Sequence, residues 1–444
     1  MVLNMRQKKT IDLDKKYVFP QRLSTVRYAG KILIISIETA CWLMFDNEEQ
    51  LRFFKLLGEH TIQQAINVFK GSEADVVHVI TEIEAKRFDD MKVIKQPGGN
   101  LHLYLTNNCN MRCPHCYMFA GDKLKYELTT TEVKKLLLSY VEHGKTGMTI
   151  SGGEATTRKD LLEIVAYAHE KGLKVRLLTN GYMLSDEFID AISPLLYQIQ
   201  ISIDGYSEEE NAKIRNKGSF QNVLHAVDRF VRNNVPTEIA ITPYYDESLN
   251  SKVHNYANFG KELKEKYADY DFKVKFTTGI LDGRETNFDD NIREKYRKTM
   301  MEVTNLYYGK DVSYDSFISS AKRKRIYDNC SYGGLTISAN GDVYACSRIL
   351  GIKPYANIRT HSFDFIWETA QKAEELSDIR NLKPCNECDL MYICGGNCRI
   401  KYFPFFKSCN SYDNINKDIR RECDQSVKSS FYDLMIKTNK RIYQ

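Results

Sequence analysis

Residues 101–116 read LHLYLTNNCNMRCPHC, and the rest of the fold can be worked out from this stretch. Its first half has the apolar pattern of a buried strand. Its second half places Cys109, Cys113 and Cys116 in one short loop directly after that strand. Because α/β sheets bind ligands at the carboxyl ends of their strands, this loop predicts a cofactor site. Three thiolates at this spacing can hold three irons of a cubane cluster and leave the fourth iron open.

The same loop admits two other interpretations. A structural zinc site needs four ligands, so His115 would have to complete the set. Three unconnected buried cysteines would carry no chemistry, but cysteine is rare and the loop lies where such sheets place their ligands. The iron–sulfur interpretation is therefore preferred.

From Leu101 onward, short apolar strands alternate with helices. One helix is predicted to begin at a capping box that opens with Thr129, and another runs from Leu161 to a stop at Gly172. The candidate strands are 101–106, 147–151, 174–179, 198–203, 238–242 and 272–278. Six βα units predict an α/β fold with a parallel sheet, a (βα)6 partial TIM barrel with its ligand site at the carboxyl strand ends.

The segment before this series has a different pattern. Residues 26–37 predict a hairpin that turns at Ala29 and Gly30. Three short helices with apolar faces follow, over 51–57, 62–69 and 76–83. A two- or three-stranded sheet followed by three helices is winged-helix-like, and the breaker cluster QPGG at 96–99 is predicted to end it.

Composition argues against several classes of protein. The 444 residues are 43% hydrophobic and 27% charged, as in soluble globular proteins, and no apolar run reaches the ~18 residues of a membrane span. A net charge of +5 is too small over this length to indicate nucleic acid, and the basic run 322–325 is interpreted as a solvated linker. Twelve cysteines without an export signal favour metal-binding thiolates over disulfides, and a cytoplasmic protein.

Most of the remaining cysteines crowd into the end of the chain, where helical and strand periodicity fades. They are Cys330, Cys346, Cys385, Cys388, Cys394, Cys398, Cys409 and Cys423. A hairpin is predicted to turn at Asn340 and Gly341, which could bring Cys330 and Cys346 together. A zinc ribbon would explain the CxxC pair but would leave these two cysteines unexplained. The region is therefore predicted to be a small Cys-rich domain built around metal.

A Cys-x-x-x-Cys-x-x-Cys loop after the first strand of a partial barrel resembles the radical SAM (S-adenosylmethionine) superfamily. The resemblance implies that Cys109, Cys113 and Cys116 hold a [4Fe–4S] cluster whose open iron chelates the amino and carboxylate groups of SAM. One electron from the reduced cluster would then cleave the sulfonium and give a 5′-deoxyadenosyl radical, which abstracts hydrogen from an unactivated carbon. The protein's part in such chemistry is positioning and shielding.

The same resemblance assigns a set of cofactor-binding residues. Gly152, Gly153 and Glu154 close the second strand and resemble the Gly-Gly-Glu motif that meets the SAM amino group. Ser202 and Arg215 would contact the SAM carboxylate, a task suited to a hydroxyl and a guanidinium. The remaining members are His115 at the adenine, Tyr117 next to the third cysteine, and Asn180 on the ribose side.

The C-terminal order of cysteines is similar to that of the SPASM domain, an auxiliary-cluster module of some radical SAM enzymes. It implies two further [4Fe–4S] clusters, so that three are expected in all. The first would be ligated by Cys330, Cys346 and Cys398, with room for an open iron. The second would be ligated by Cys385, Cys388, Cys394 and a last cysteine, for which Cys423 fits better than Cys409.

Three domains are therefore expected: a winged-helix-like peptide-recognition domain over 1–97, the radical SAM partial barrel over 98–310 and the SPASM domain over 311–444. This order resembles that of enzymes which modify ribosomally made peptides, where a leader peptide adds as a strand to a sheet edge. The expected reaction is an intramolecular crosslink in a precursor peptide, a thioether first and a C–C or C–O bond next. The expected partners are the precursor with its leader and an electron donor such as flavodoxin or ferredoxin, without nucleic acid or membrane.

Two alternatives remain open. A radical SAM/SPASM maturase could instead oxidise or epimerise a residue of a protein or peptide, or act on a small molecule. A non-catalytic zinc-binding interaction protein ranks last, and brown colour and iron content in an anaerobic preparation would exclude it.

Overall fold

The chain begins with a small sheet followed by three helices, as the sequence predicts. The computed structural model describes residues 11–95, 99–349, 351–403, 405–406, 423 and 425–443. The strands are β1 (Leu23–Tyr28), β2 (Lys31–Ser36) and β3 (Trp42–Phe45), and the helices are α1 (Glu48–Glu59), α2 (Ile62–Val68) and α3 (Glu73–Lys86). The hairpin turns at Ala29 and Gly30, which both have positive φ. Side chains of Asn47, Thr61 and Ser72 accept backbone N–H groups at the three helix starts, which fixes where the helices begin.

The two faces of this antiparallel sheet bury different partners. One face packs on α1, α2 and α3, with Ile32, Ile34 and Leu43 in that core. The opposite face packs on the C-terminal region, in a cluster made of Leu33, Ile35, Trp42, Met44, Leu390, Tyr432 and Met435. The N-terminal domain is therefore fixed to the C-terminal domain by apolar burial.

A parallel sheet of six strands forms the centre of the molecule and confirms the predicted series. Its strands are β4 (Leu101–Tyr104), β5 (Gly147–Ser151), β6 (Lys174–Thr179), β7 (Gln198–Ser202), β8 (Thr237–Ile241) and β9 (Phe272–Phe276), in that order. The helices are α4 (Thr130–Glu142), α5 (Leu161–Glu170), α6 (Asp186–Ile192), α7 (Glu208–Ala212), α8 (Ser219–Arg232), α9 (Val253–Lys266), α10 (Asp290–Tyr308) and α11 (Val312–Lys322). Thr129 forms the predicted capping box with Glu132.

The Cys-rich region extends the same sheet, which the sequence did not predict. Strand β10 (Thr336–Ile337) pairs in parallel with β4, and β11 (Asp342–Tyr344) and β12 (Ala356–Asn357) follow antiparallel. The predicted hairpin is confirmed, with Gly341 at φ 89° in its turn. The later helices are α12 (Phe363–Ser377), α13 (Met391–Cys394), α14 (Arg399–Tyr402) and α15 (Gln425–Thr438). Backbone pairing thus joins the two domains as one sheet.

The interpretation of the basic run 322–325 as a solvated linker is wrong at Lys324, which is buried. Lys324 is 2% exposed, and its ammonium group donates to the backbone carbonyls of Arg87, at 2.5 Å, and Asp90. These carbonyls lie just after α3, so Lys324 ties the N-terminal domain to α11. Residues 96–98 of the predicted boundary lie outside the described residues. No helix in the described part of the chain is long and apolar enough to span a bilayer.

Candidate functional site

The cysteine loop follows β4 and is held in shape by its own backbone. The amide of Cys109 donates to the carbonyl of Gly121 at 2.8 Å, and the amide of Cys116 donates to that of Cys113 at 3.2 Å. The amide of Met111 lies 3.4 Å from Sγ of Cys109, where it can donate to the sulfur. All three cysteines are half-buried free thiols. The loop therefore offers three thiols at the carboxyl end of the sheet.

Burial controls the protonation of these thiols in the metal-free chain. It raises the pKa of Cys113 to about 11 and also raises the pKa of Cys109. Since iron binds the thiolate, loading the site must release these protons. Among the described residues, no group of three His, Cys, Asp or Glu side chains is arranged to hold a single metal ion.

Two glycines after β5 form a close cradle against the same loop. A Cβ on Gly153 would lie 2.5 Å from the carbonyl oxygens of Asn107 and Asn108, and one on Gly152 would lie 2.5 Å from that of Thr106. Gly152 also has a φ of 155°. Only glycine allows so close an approach of the backbone, which explains the Gly-Gly pair physically.

The carboxylate of Glu154 joins two strand ends. It is 2% exposed and accepts hydrogen bonds from the Thr179 hydroxyl and the Asn180 amide, each at 2.7 Å. Asn180 in turn donates from Nδ2 to Oδ1 of Asn110, within the cysteine loop, at 2.8 Å. Oε2 of Glu154 accepts only the Asn180 bond among the described residues and keeps a lone pair for another donor. An ammonium group would suit that position.

A buried ion pair stands after β7, the strand that ends at Ser202. Arg215 donates from Nε to Oδ2 of Asp204 at 2.7 Å. Nε2 of His115 lies 3.8 Å from the same oxygen. Burial is the largest single influence on the pKa of Arg215 and by itself would lower it, but the negative charges of Asp204, Cys113 and Glu154 and the hydrogen bond to Asp204 together raise that pKa. Sequence reasoning missed Asp204, although its position directly after a strand of the parallel sheet was the available signal.

His115 presents a further polar atom that a ligand could satisfy. Its Nδ1 atom is buried and has no hydrogen-bond partner among the described residues. Burial lowers the pKa of its ring, so the ring is held neutral. A bound cofactor could satisfy this nitrogen. Together with the glycine cradle, the free lone pair of Glu154 and the three thiols, it shows that the site fits a [4Fe–4S] cluster with SAM.

Tyr117 points toward the C-terminal domain. Its hydroxyl lies 3.0 Å from that of Tyr104, which donates to the carbonyl of Ser347 at 2.6 Å. Burial raises the pKa of Tyr117, and the charges of Cys116 and Cys346 also act on its hydroxyl. Tyr104, a buried residue of β4 that sequence reasoning passed over, thus connects the cysteine loop to the Cys-rich domain.

Several of the C-terminal cysteines influence one another or the same neighbouring group. Burial raises the pKa of Cys346 to about 11, and the charges of Cys330 and Cys398, the other members of the predicted first set, add to that rise. Burial and the hydrogen bond to Asp389 raise the pKa of the Tyr432 hydroxyl, and the charges of Cys388 and Cys423, two members of the predicted second set, add to that rise. The other two members of the predicted second set are Cys385 and Cys394, which begin and end a compact turn segment. Cys409 lies outside the described residues.

Comparison with known families agrees with this geometry. Residues 103–254 match the radical SAM superfamily, and residues 329–389 match SPASM, described as an iron–sulfur cluster-binding domain. The chain is a radical SAM/SPASM enzyme. It binds [4Fe–4S] clusters and SAM.

Curated relatives are similar over most of the chain. The AdoMet-dependent heme synthase of Methanosarcina barkeri is 26% identical over 321 residues, covering 67% of this chain and 90% of the relative. The PqqA peptide cyclase of Bradyrhizobium diazoefficiens is 27% identical over 327 residues, covering 68% and 81%. The crystal structure of Streptococcus suis SuiB superposes with a TM-score of 0.52 at 14% identity, covering 91% of this chain and 98% of SuiB. This last likeness concerns the fold.

Proposed function

We propose that this enzyme abstracts hydrogen from an unactivated carbon of a ribosomally made precursor peptide and installs an intramolecular crosslink. The observation that carries the proposal is the position of the N-terminal sheet. This sheet packs on the C-terminal domain in an apolar cluster that Cys388 and Cys394 also contact. A relative that acts as a peptide cyclase supports a peptide substrate. When bound, the reduced cluster and SAM supply the 5′-deoxyadenosyl radical; the chain positions the peptide and excludes water.

A thioether is the favoured bond. Three cysteines for the first auxiliary cluster would leave one iron for a substrate thiolate, and Cys330 of that set is exposed. A cavity of about 450 Å³ lies between the N-terminal and C-terminal domains, and both Cys330 and Cys394 line it. Its wall also includes the aromatic side chains of Trp42, Phe317 and Phe431. Such a cavity could admit an apolar core peptide beside the cluster ligands. C–C and C–O crosslinks rank next.

The leader peptide is proposed to bind the edge of β1. Strand β3 is obstructed, since the amide of Met44 donates to Glu82 at 2.8 Å and its carbonyl oxygen lies 2.9 Å from Nε2 of His78. Both side chains come from α3, which therefore occupies the place that an added strand would take.

The edge of β1 is open along its length. The carbonyl of Arg22 accepts the amide of Ile37 at 3.0 Å and so faces β2. The backbone N–H and C=O groups of successive residues in an antiparallel strand point alternately to opposite sides. Those of Leu23, Thr25 and Arg27 therefore point away from β2. No described residue bonds their amides or carbonyls, and an extended peptide could satisfy all of them as an added strand.

A proline substitution tests this edge. Thr25→Pro removes one outward amide but no bond to β2, and we expect peptide affinity to fall about tenfold. Thr25→Ala keeps the amide and should bind the precursor as the unmodified enzyme does. Equal affinity of both variants would place the leader elsewhere without affecting the crosslinking proposal. Fluorescence anisotropy with labelled precursor measures both constants.

The reaction itself is tested by mass spectrometry. A candidate precursor, taken from any short reading frame found beside the gene, is incubated anaerobically with holoenzyme, reductant and SAM. A crosslink should reduce the peptide mass by two hydrogens, one transferred to 5′-deoxyadenosine and the other lost as a proton and an electron. Loss of one alkylatable thiol per product would identify the thioether. An unchanged peptide, with SAM cleaved, would contradict the proposal.

A second candidate is a reaction on a small molecule or on a residue of another protein, by oxidation or epimerisation. The heme synthase relative favours it. It predicts turnover that does not depend on a leader sequence. In either case, a cytoplasmic flavodoxin or ferredoxin is the proposed electron donor, and a reducing compartment would preserve the free thiols.

A further inference from the structure

Arg399, the first residue of α14, is a fully buried cation next to the auxiliary thiols. Its side chain is 0% exposed and is among the largest that are fully buried in the described structure. It directly follows Cys398, a predicted ligand of the first auxiliary cluster. A guanidinium keeps its charge at any working pH, so this position holds a permanent positive charge out of water.

The hydrogen bonds of Arg399 do not neutralise that charge. Nε donates to the carbonyl of Ser377 at 2.7 Å, and Nη1 donates to the carbonyls of Gly395 and Asn397 at 2.8 and 2.7 Å. Nη2 donates to the carbonyl of Asp328 at 3.2 Å. All four acceptors are neutral backbone oxygens. They accept hydrogen bonds from most of the guanidinium N–H groups. As neutral dipoles, however, they do not supply the negative charge that would balance the cation.

No carboxylate pairs with Arg399 in the part of the chain that the structure describes. The acid whose charge acts on it is Asp378, and that carboxylate is already paired with Arg380 at 2.6 Å. A buried charge without a partner is strongly unfavourable, so the native protein must supply negative charge from another source.

The thiols of both predicted auxiliary ligand sets can supply that charge as thiolates. Cys330 and Cys398 of the first set and Cys385 of the second all act electrostatically on the guanidinium. The geometry agrees, because a Cβ built on Gly396 would lie 3.2 Å from Nη1 of Arg399 and 3.7 Å from Sγ of Cys385. Arg399 thus lies close to thiols of both predicted ligand sets.

We propose that Arg399 is a buried counter-ion shared by the two auxiliary clusters, and that it raises the reduction potential of both. Reduction adds a negative charge to a cluster, and a fixed cation close by favours the more negative state. The inference rests on the ligand sets given under the proposed function.

The test is an EPR-monitored redox titration of the full-length holoenzyme. Arg399→Gln removes the charge and keeps hydrogen-bonding capacity, whereas Arg399→Lys keeps the charge. At the midpoint potential of each auxiliary cluster in the unmodified enzyme, Arg399→Gln should lower the ratio of reduced to oxidised cluster about tenfold, which is 59 mV for one electron. Arg399→Lys should remain close to the unmodified enzyme. Lys401→Gln, the same charge change at an exposed site of α14, is the matched control and should cause no shift.

Each outcome has one meaning. Midpoints unchanged in an Arg399→Gln protein that retains both auxiliary clusters would overturn the proposal. Equal loss of clusters from the Gln and Lys variants would also overturn it, since the role would then be packing and not charge. If the unmodified enzyme contained only the SAM cluster, the auxiliary ligand assignment would fail, and the shared counter-ion would fail with it.

Discussion

Arg215 and Asp204 form a buried ion pair at the cysteine loop, with Nε and Oδ2 at 2.7 Å and side-chain exposures of 8% and 1%. The other oxygen of Asp204 accepts the amide of Thr242 at 3.1 Å, so the carboxylate is anchored to the end of β8. Nε2 of His115 lies 3.8 Å from Oδ2 of Asp204, the same oxygen that accepts the hydrogen bond from Arg215. One carboxylate therefore orients two residues predicted to bind SAM.

We expect Asp204→Asn to weaken SAM binding about tenfold, which corresponds to about 1.4 kcal/mol. The neutral amide would provide no negative charge to pair with the buried guanidinium of Arg215. The Arg215 side chain could then move out of its present orientation. Isothermal titration calorimetry of SAM into anaerobic holoenzyme measures the effect. Asp190→Asn, which breaks an exposed pair with Arg229, is the control and should leave SAM affinity unchanged. If Asp204→Asn bound SAM as tightly as the unmodified enzyme does, Asp204 would have no role in SAM binding.

Cys113→Ala should abolish 5′-deoxyadenosine formation, because it removes one of the three thiols in the loop after β4. The C-terminal cysteines are untouched, so about two thirds of the iron expected for three cubane clusters should remain. Chromatography of the nucleoside and an iron assay measure the two quantities. Cys41→Ala, at a buried thiol in the N-terminal domain, should retain both. Continued SAM cleavage in Cys113→Ala would show that the loop does not hold the catalytic cluster.

The sequence predicted the elements well and their long-range contacts poorly. The six strands of the parallel sheet were predictable because each carries a short apolar run bounded by turn residues, as in Lys174–Thr179. The pairing of β10 with β4 was not, since a two-residue strand carries no periodicity. The only sequence signal for Asp204 was its position directly after a strand. The burial of Arg399 could not be predicted, because its partners Ser377 and Asp328 lie on other segments of the chain.

The link between the N-terminal and C-terminal domains shows the same limit. Helix α3 was predictable from its apolar face, but Lys86 and Glu82 on it would ordinarily be expected to face solvent. In the fold they form a buried pair at 3.0 Å, and Lys86 also donates to Oδ1 of Asn439 at 2.6 Å, near the end of the chain. Nothing in the local sequence predicts a partner more than 350 residues away.

Lys86→Ala should therefore destabilise the protein by about 3–5 kcal/mol, because it leaves the Glu82 carboxylate buried without its cation. The side-chain exposures of the pair are only 2% and 4%, so water cannot replace the lost partner. Lys31→Ala removes an exposed pair with Asp46 and should cost about 0–1 kcal/mol. Urea unfolding of the apoproteins, followed by tryptophan fluorescence, measures both. Similar midpoints for the two variants would contradict the buried-pair assignment.

His102 gives the fold a pH dependence. Its ring lies against Tyr104 within β4, and its Nε2 is 2.8 Å from the hydroxyl of Ser151 on the neighbouring strand. Burial, with a smaller contribution from the charge of Arg176, lowers the pKa of His102 to about 4. An unfolded chain would give this ring a pKa of about 6.5, so the unfolded state binds the proton more readily.

The stability that depends on neutral His102 is therefore complete above about pH 6.5 and is lost as pH falls toward about 4. Between pH 7.5 and 5.5 we expect a loss of about 1 kcal/mol from this group. His102→Gln keeps a hydrogen-bonding partner for Ser151 but cannot titrate, so the difference between the two pH values should shrink by that amount. His225→Gln, at an exposed histidine paired with Asp186, should leave the difference close to that of the unmodified protein. Urea midpoints of the three apoproteins at both pH values decide the matter, and an unaltered pH dependence in His102→Gln would mean that this ring is not held neutral.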